Sequence, residues 1–272
     1  MLVLGIDAAW TPAGSSGIAL LATSAGAYRI VAADDSYAAF CQRANVAAPP
    51  PGDGAREGAA VLQAAQILGD ALVDVVAIDM PVSRRPILER RRADNTISQL
   101  FGHCGTAVHS PKPTCPGPYG QAFAQAFQES GFTLATRTLG SPVLPALIEV
   151  YPHVALLGFL NRSYRVPYKV GKTYIKATPR LQRIAALLEE WRAICAFCEN
   201  EGLSMPELPD ASDLPTNRTL KRIEDTIDAV ICALVGVRYL QSRSQAIGDD
   251  DAAIWVPMEA LALGRSSPAR FS

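Results

Sequence analysis

The sequence predicts an α/β fold built around a mixed β-sheet, and two features of the chain carry this prediction. Three apolar runs joined by short turns, at residues 2–6, 17–21 and 28–33, are typical of an antiparallel meander. Apolar residues at helical spacing over 59–72 then lead directly into a buried strand pattern at 73–79. A helix that runs into a buried strand is typical of a parallel crossover, so we expect strands of both orientations in one sheet.

The first predicted strand ends on an acid. Residues 2–6 are almost wholly apolar, which is typical of a strand buried on both faces, and the next residue is Asp7. An ionised carboxylate at the tip of a buried strand is costly unless it is paired or bound to a cation. Asp7 is therefore expected either to accept hydrogen bonds from nearby backbone or to bind a metal ion.

Two later apolar runs also carry acids. The run VDVVAID at 73–79 ends on Asp79, and the run LIEVY at 147–151 has Glu149 at its centre. An acid in the middle of a strand either faces solvent at a sheet edge or points into a shared cleft, and both interpretations of Glu149 stay open. Adjacent parallel strands leave a sheet at the same edge, so Asp7 and Asp79 are expected to lie close together.

A long amphipathic helix is predicted near the C-terminus, ending at about residue 241. Its small residues Ala229, Ala233 and Gly236 would let it lie close against the sheet. Asp225 and Asp228 project from the same side of this helix, one turn apart, and two like charges there destabilise a helix unless a partner neutralises them.

Together with the acids of the two strands, these two residues give a candidate metal site for Mg²⁺ or Mn²⁺. Such hard cations prefer oxygen ligands, and they activate water and stabilise the leaving oxygen in phosphodiester hydrolysis. The predicted ligands are Asp7, Asp79, Asp225 and Asp228.

Two basic segments are candidates for substrate binding. One follows the strand that ends at Asp79, and the other lies in the region 169–183. An arginine run is often a solvated helix face, but its position after an acid-ending strand favours contact with a substrate phosphate equally well. The predicted substrate-binding residues are Arg84, Arg91, Arg92, Lys112, Lys169 and Lys172.

The composition is that of an ordinary globular protein. The chain has 272 residues, of which 49% are hydrophobic, and its formal net charge of −1 does not indicate binding to long duplexes. No stretch approaches the roughly twenty apolar residues of a membrane helix, and the immediate start of a strand leaves no room for a signal peptide. We expect a cytoplasmic protein without a membrane partner, and the sequence does not indicate its oligomeric state.

The order of short motifs resembles a known family. GID, GIALL, AIDMPVS, an R-x-x-D-N segment, HSPKP, IEVYPH and EDTIDAVICAL follow one another along nearly the whole chain. This order is similar to that of the family catalogued as domain of unknown function 429 (DUF429), the predicted RNase H-like nucleases. The resemblance implies a five-stranded RNase H-like sheet, three antiparallel strands followed by two parallel ones, with helices on both faces. It also implies a single domain over 1–272 with insertions at about 82–146 and 160–215.

The resemblance also implies roles for the acids. Asp7 would bridge the metal ions, Asp79 would complete one site, and Asp225 and Asp228 would supply the ligands of the last helix. Glu149, in the family's E-x-Y-P-type motif, would be either a catalytic ligand or a group that supports the ligands.

Three functions stay open at this stage. The leading hypothesis is metal-dependent phosphodiester hydrolysis by a nuclease or phosphodiesterase, on a nucleic acid or a nucleotide-like substrate. The second is a nucleotide-binding phosphotransferase of the actin-like superfamily, although that group places a glycine two residues after the aspartate, where this chain has Ala9. The third is a non-catalytic nucleic-acid or nucleotide-binding protein, in which the acids only cap helices and pair with arginines.

Overall fold

A mixed β-sheet forms the centre of the structure, a computed structural model that describes residues 1–11, 14–24, 26–171 and 178–264. The strands are β1 (Leu2–Asp7), β2 (Gly17–Ser24), β3 (Ala27–Asp34), β4 (Val75–Ile78), β5 (Thr133–Leu134), β6 (Ala146–Val150), β7 (Ser244–Gly248) and β8 (Ala253–Pro257). Their order across the sheet is β3-β2-β1-β4-β6-β8-β7, and the short β5 pairs with the first residues of β6.

The first five strands in this order have the predicted orientations. β1 pairs with β2, and β2 with β3, in antiparallel fashion, whereas β4 is parallel to β1 and β6 is parallel to β4. The predicted mixed α/β sheet is therefore confirmed, with β1 and β4 as neighbours. This arrangement is consistent with an RNase H-like fold.

The sheet is larger than the five strands that the resemblance implies. β8 is parallel to β6 and extends the sheet beyond it, and β7 then pairs with β8 in antiparallel fashion to form the far edge. The sequence reveals β7 poorly because its residues, SQAIG, show no regular alternation of apolar and polar side chains. The apolar residues at 254–257 belong to β8, which is an interior strand.

Helices flank the sheet on both faces. They are α1 (Tyr37–Arg43), α2 (Gly54–Gly69), α3 (Arg92–Phe101), α4 (Gly117–Glu129), α5 (Pro152–Phe159), α6 (Arg180–Asn200), α7 (Asn217–Leu240) and α8 (Met258–Gly264). The described residues include no helix that is both long enough and apolar enough to cross a membrane.

The helices divide into two layers with separate apolar cores. α5, α6 and α7 share a core with one face of the sheet, and α1, α2 and α4 share a core with the other face. A third, smaller core joins α3, α5 and α8 to β7 and β8. The segment predicted as the insertion 82–146 contributes α3, α4 and β5, and the segment 160–215 contributes α6.

The long helix α7 lies in direct backbone contact with the sheet. A Cβ atom on Gly5 would lie 2.2 Å from the carbonyl oxygen of Ala229 and 2.7 Å from Cβ of Ala233. A Cβ atom on Gly17 would lie 1.8 Å from the carbonyl oxygen of Asp225. The predicted close approach of a small-residue stripe to the sheet is therefore confirmed, and glycines on the strands make it possible as much as alanines on the helix do.

Side-chain alternation along β1 determines which face Asp7 occupies. Val3 lies in the core that β1 shares with α7, whereas Leu4 and Ile6 lie in the core on the opposite face. Successive side chains of a strand point to opposite faces, so Asp7 continues the row of Val3 and Gly5. The first strand therefore directs its terminal carboxylate to the face covered by α7.

Candidate functional site

A cleft of about 350 Å³ opens at the edge of the sheet where β1, β4 and β6 end. The strands contribute Asp79 and Glu149 to its lining, α7 contributes Lys221 and Glu224, and the segment after α5 contributes Lys169. The lining also includes Trp10, His109, Tyr151, His153 and Arg165.

The three acids on the N-terminal half of α7 are buried and paired with lysines. Lys169 Nζ contacts the carboxylate of Asp228 and lies 3.5 Å from Oε1 of Glu224. Lys221 Nζ lies 2.6 Å from Oε1 of Glu224 and 2.5 Å from Oδ1 of Asp225. Burial raises the pKa of Asp228, and the neighbouring Lys169 ammonium opposes this rise. These acids are thus neutralised in part by the protein itself.

The acids at the ends of β1 and β4 lack such partners. No described residue donates a hydrogen bond to the carboxylate of Asp7 or Asp79 or forms an ion pair with it. Of the two alternatives for Asp7, hydrogen bonding by nearby backbone is therefore not found in the described region. Burial raises the pKa of Asp7 well above its ordinary value, and the charge of Asp228 adds to this rise. Burial likewise raises the pKa of Asp79 to about 7, with Lys169 acting in the opposite direction. Both carboxylates are therefore short of positive charge.

Glu149 is held by an arginine. Nη1 and Nη2 of Arg91 lie 2.6 and 2.7 Å from the two carboxylate oxygens of Glu149, and the amide of Val82 donates a further hydrogen bond of 2.9 Å. The remaining donors of Arg91 bond to Asp94 and to the carbonyl oxygen of Val82. Burial raises the pKa of Glu149, and the Arg91 guanidinium opposes this rise. All five donors of Arg91 are used within the protein, which leaves none for a phosphate.

Three of the other predicted substrate-binding residues lie on the surface, away from the acids. Arg84 and Arg92 are exposed and do not line the cleft; Arg84 instead borders a separate groove beside α4. Lys112 is exposed in the loop before α4. Lys172 lies outside the described residues. Among the described members of this set other than Arg91, only Lys169 contacts an acid of the cleft region.

Three charged residues of the cleft were not singled out from the sequence. Lys221 and Glu224 belong to the run K-x-x-E-D-x-x-D, whose members at i, i+3, i+4 and i+7 share one helix face. That spacing could have indicated, from the sequence, that Lys221 and Glu224 lie beside Asp225 and Asp228. Arg165 lies in a stretch without helix or strand, where the sequence offers no periodicity to indicate its position.

Arg165 and His153 form a polar pair on the cleft wall. Nη2 of Arg165 lies 2.8 Å from Nε2 of His153. A guanidinium can only donate, so His153 Nε2 accepts and the imidazole carries its proton on Nδ1. Nε of Arg165 has no hydrogen-bond partner among the described residues, which leaves a buried donor at the cleft.

The donor set suits a hard divalent cation, although the described part of the chain contains no ready-formed metal site. Within that part, five carboxylates lie beside only two lysines, and Oδ2 of Asp225 is buried without a hydrogen-bond partner. Carboxylate oxygens are the ligands that Mg²⁺ and Mn²⁺ prefer, so the residues present fit such an ion by their chemistry. The five acids are Asp7, Asp79, Glu224, Asp225 and Asp228.

Comparison with known proteins places the chain in a family. The family model described as "Protein of unknown function (DUF429)" matches residues 5–253. Neither the curated proteins nor the solved structures provide a significant match. The matched region contains all the acids of the cleft and both lysines that pair with them. The chain therefore belongs to the DUF429 family, the family that its motifs resemble.

Proposed function

We propose that the protein is a metal-dependent phosphodiesterase that hydrolyses a nucleotide-like or nucleic-acid substrate. The observation that carries this proposal is the pair of strand-end carboxylates, Asp7 and Asp79, which lie beside further acids and have no ion-pair partner among the described residues. Buried or half-buried carboxylates without partners are costly unless a cation neutralises them. Mg²⁺ or Mn²⁺ would do so, and Asp7 and Asp79 would hold it.

When bound, such a cation supplies Lewis acidity to a phosphate oxygen and to the attacking water. The protein's own residues account for the rest of the site. Arg165 lines the cleft, and its pairing with His153 fixes the position of a guanidinium whose charge would attract a phosphate oxygen. Glu149 is fixed by Arg91 at the cleft, where it can orient a water molecule.

The walls of the cleft support a substrate that carries a base. Trp10 and Tyr151 line the cleft, and aromatic rings are the usual surfaces on which unpaired bases stack. A volume of about 350 Å³ suits one or two nucleotide units better than a duplex. Together with the formal net charge of −1, this favours single-stranded ends or small nucleotides as substrates.

The proposal is tested by measuring hydrolysis of labelled single-stranded DNA, single-stranded RNA and bis(p-nitrophenyl) phosphate with Mn²⁺, with Mg²⁺ and with a chelator. We expect metal-dependent cleavage of at least one substrate. Asp7→Asn should lower the rate by roughly a hundredfold or more, the scale seen when a group that stabilises a transition state is removed. Asp213→Asn, which changes an exposed acid outside the cleft, should leave the rate unchanged. Equal rates for the wild type and Asp7→Asn would refute the proposal.

A further inference from the structure

We propose that Lys169 takes the place of a second metal ion, so that the site binds a single divalent cation at Asp7 and Asp79. This inference rests on the proposed function, because it concerns how the same acids are neutralised. It assigns Asp228 and Glu224 to the binding of a lysine, in place of the metal-ligand role that the sequence predicts for Asp228.

Each oxygen of the Asp228 carboxylate has one donor within the protein. The hydroxyl of Tyr168 donates a 2.6 Å hydrogen bond to Oδ1, and the ammonium of Lys169 contacts Oδ2. Asp228 is completely buried, and so is Tyr168. A metal ion at this carboxylate would have to share its oxygens with these two donors in a crowded interior, and the ammonium of Lys169 would repel it.

The backbone around Lys169 is anchored on both sides. The indole Nε1 of Trp191 donates a 2.8 Å hydrogen bond to the carbonyl oxygen of Tyr168, and the amide of Val170 donates a 2.5 Å hydrogen bond to Oε2 of Glu224. Both anchors come from buried side chains, one on α6 and one on α7. The ammonium of Lys169 is therefore positioned by the fold and is not a surface charge that happens to fall near an acid.

The side chain of Lys169 has the surroundings expected of a structural cation. It is only 17% exposed, whereas the side chain of Lys221 is 42% exposed. Its Nζ lies 5.1 Å from the centre of the Tyr168 ring, within the range of a cation–π contact. Lys221 pairs with acids one turn along its own helix, a common surface arrangement. Lys169, in contrast, comes from a different segment and contacts α7 across the interior.

The two pairs of acids then have different functions. Asp228 and Glu224 hold Lys169, which supplies one fixed positive charge beside the cleft. Asp7 and Asp79 have no such partner among the described residues and provide the oxygen ligands for one exchangeable cation. A phosphate that enters the cleft would meet the ammonium of Lys169, and Asp7 and Asp79 would hold the cation.

The number of Mn²⁺ ions bound per chain tests this inference, measured by electron paramagnetic resonance of the free ion and by calorimetry. The wild type should bind one ion. Lys169→Met removes the charge at similar length and leaves Asp228 and Glu224 without that cation, so this variant should bind two ions. Lys169→Arg keeps the charge and should bind one, which provides a second test if the Met variant does not fold. Lys112→Met, at an exposed loop position, is the control and should bind one.

The possible outcomes distinguish a failure of this inference from a failure of the proposed function. Two ions in the wild type would overturn the inference and leave the proposed function in place. One ion in both the wild type and a folded Lys169→Met variant would also overturn it, because the lysine would then not occupy a cation position. The absence of any bound ion in the wild type, with or without a dinucleotide phosphorothioate, would overturn both.

Discussion

Asp7 and Asp79 differ from the acids of α7 in having no counter-ion among the described residues, and this difference governs how the site responds to pH. In the metal-free protein, burial raises the pKa of Asp79 to about 7. In an unfolded chain the same group titrates near 3.9. At a pH between these two pKa values, Asp79 is protonated in the folded state and ionised in the unfolded state.

The first prediction concerns stability against pH. A raised carboxyl pKa gives stability that is fully present below the unfolded value and is lost as pH rises through the folded value. With a chelator present, the free energy of unfolding should therefore fall between about pH 4 and pH 7. Asp79→Asn removes this titrating group and should flatten the profile. Urea unfolding across this range checks the prediction, and identical slopes for the two proteins would contradict it.

The second prediction concerns the buried pair of Glu149 and Arg91. Glu149→Gln leaves the Arg91 guanidinium with less compensating charge, and breaking a buried ion pair by removing one partner costs about 3–5 kcal/mol. Glu189→Gln, which breaks the exposed pair with Arg192, should cost less than about 1 kcal/mol. Chemical denaturation measures both losses. A similar, small loss in both variants would show that the Glu149 pair does not stabilise the fold.

At the scale of the elements, the contact between α7 and the sheet determines the geometry of the site. α7 carries Glu224, Asp225 and Asp228, and β1 carries Asp7. The helix reaches the sheet because Gly5 and Gly17 leave no side chain between them. The separation between the acids of the helix and those of the strands is therefore set by two glycines.

The third prediction follows from this contact. Gly17→Ala places a methyl group against the carbonyl oxygen of Asp225, so α7 must move away from β2. The expected cost is about 1–3 kcal/mol or more, as for overpacking of a core, together with weaker Mn²⁺ binding. Gly140→Ala meets no atom within 4 Å and is the matched control. Thermal melts and calorimetry measure both effects, and unchanged Mn²⁺ affinity in Gly17→Ala would contradict this account.

Local patterns predict some of these elements well and others poorly. The acid-ending strands β1 and β4 and the helix α7 follow from apolar periodicity, because each buries a continuous face. The predicted helix at 59–72 begins earlier, at Gly54, and ends at Gly69, so Leu72 is 77% exposed. Arg91, whose side chain is only 8% exposed, directly precedes α3, and with its neighbours it was interpreted as a solvated face or a phosphate site. A sequence does not show that Arg91 meets Glu149, since the two lie 58 positions apart.

At the scale of the whole molecule, the acids predicted as one group do come together at one edge of the sheet. The order of strands brings β1, β4 and β6 side by side, and α7 crosses the same face. The pairing of these acids with Lys169 was not predicted, because it depends on how the segment 160–171 folds back over α7, whereas the spacing of Lys221 along α7 did offer a signal. That segment has no regular structure near the site and hence no periodic signal.

The fourth prediction concerns substrate binding at different salt concentrations. Among the described residues, the lysines and arginines that line the cleft are Arg165, Lys169 and Lys221, and the net charge of the chain is −1. About three phosphate contacts should give a slope of roughly −2 for the logarithm of the binding constant of single-stranded DNA against the logarithm of the salt concentration. Fluorescence anisotropy with a chelator present measures this slope. A slope as steep as about −6 would instead indicate an extended basic surface.

The most direct test of the central claim is the anomalous scattering of Mn²⁺ in crystals of the protein soaked with a manganese salt and a dinucleotide phosphorothioate. The claim is that the strand-end acids bind the cation required for phosphodiester hydrolysis. It predicts an anomalous peak within about 2.0–2.3 Å of carboxylate oxygens of both Asp7 and Asp79, and none in crystals of Asp7→Asn. A map without a peak between these two residues, or with the same peak in Asp7→Asn, would contradict the claim.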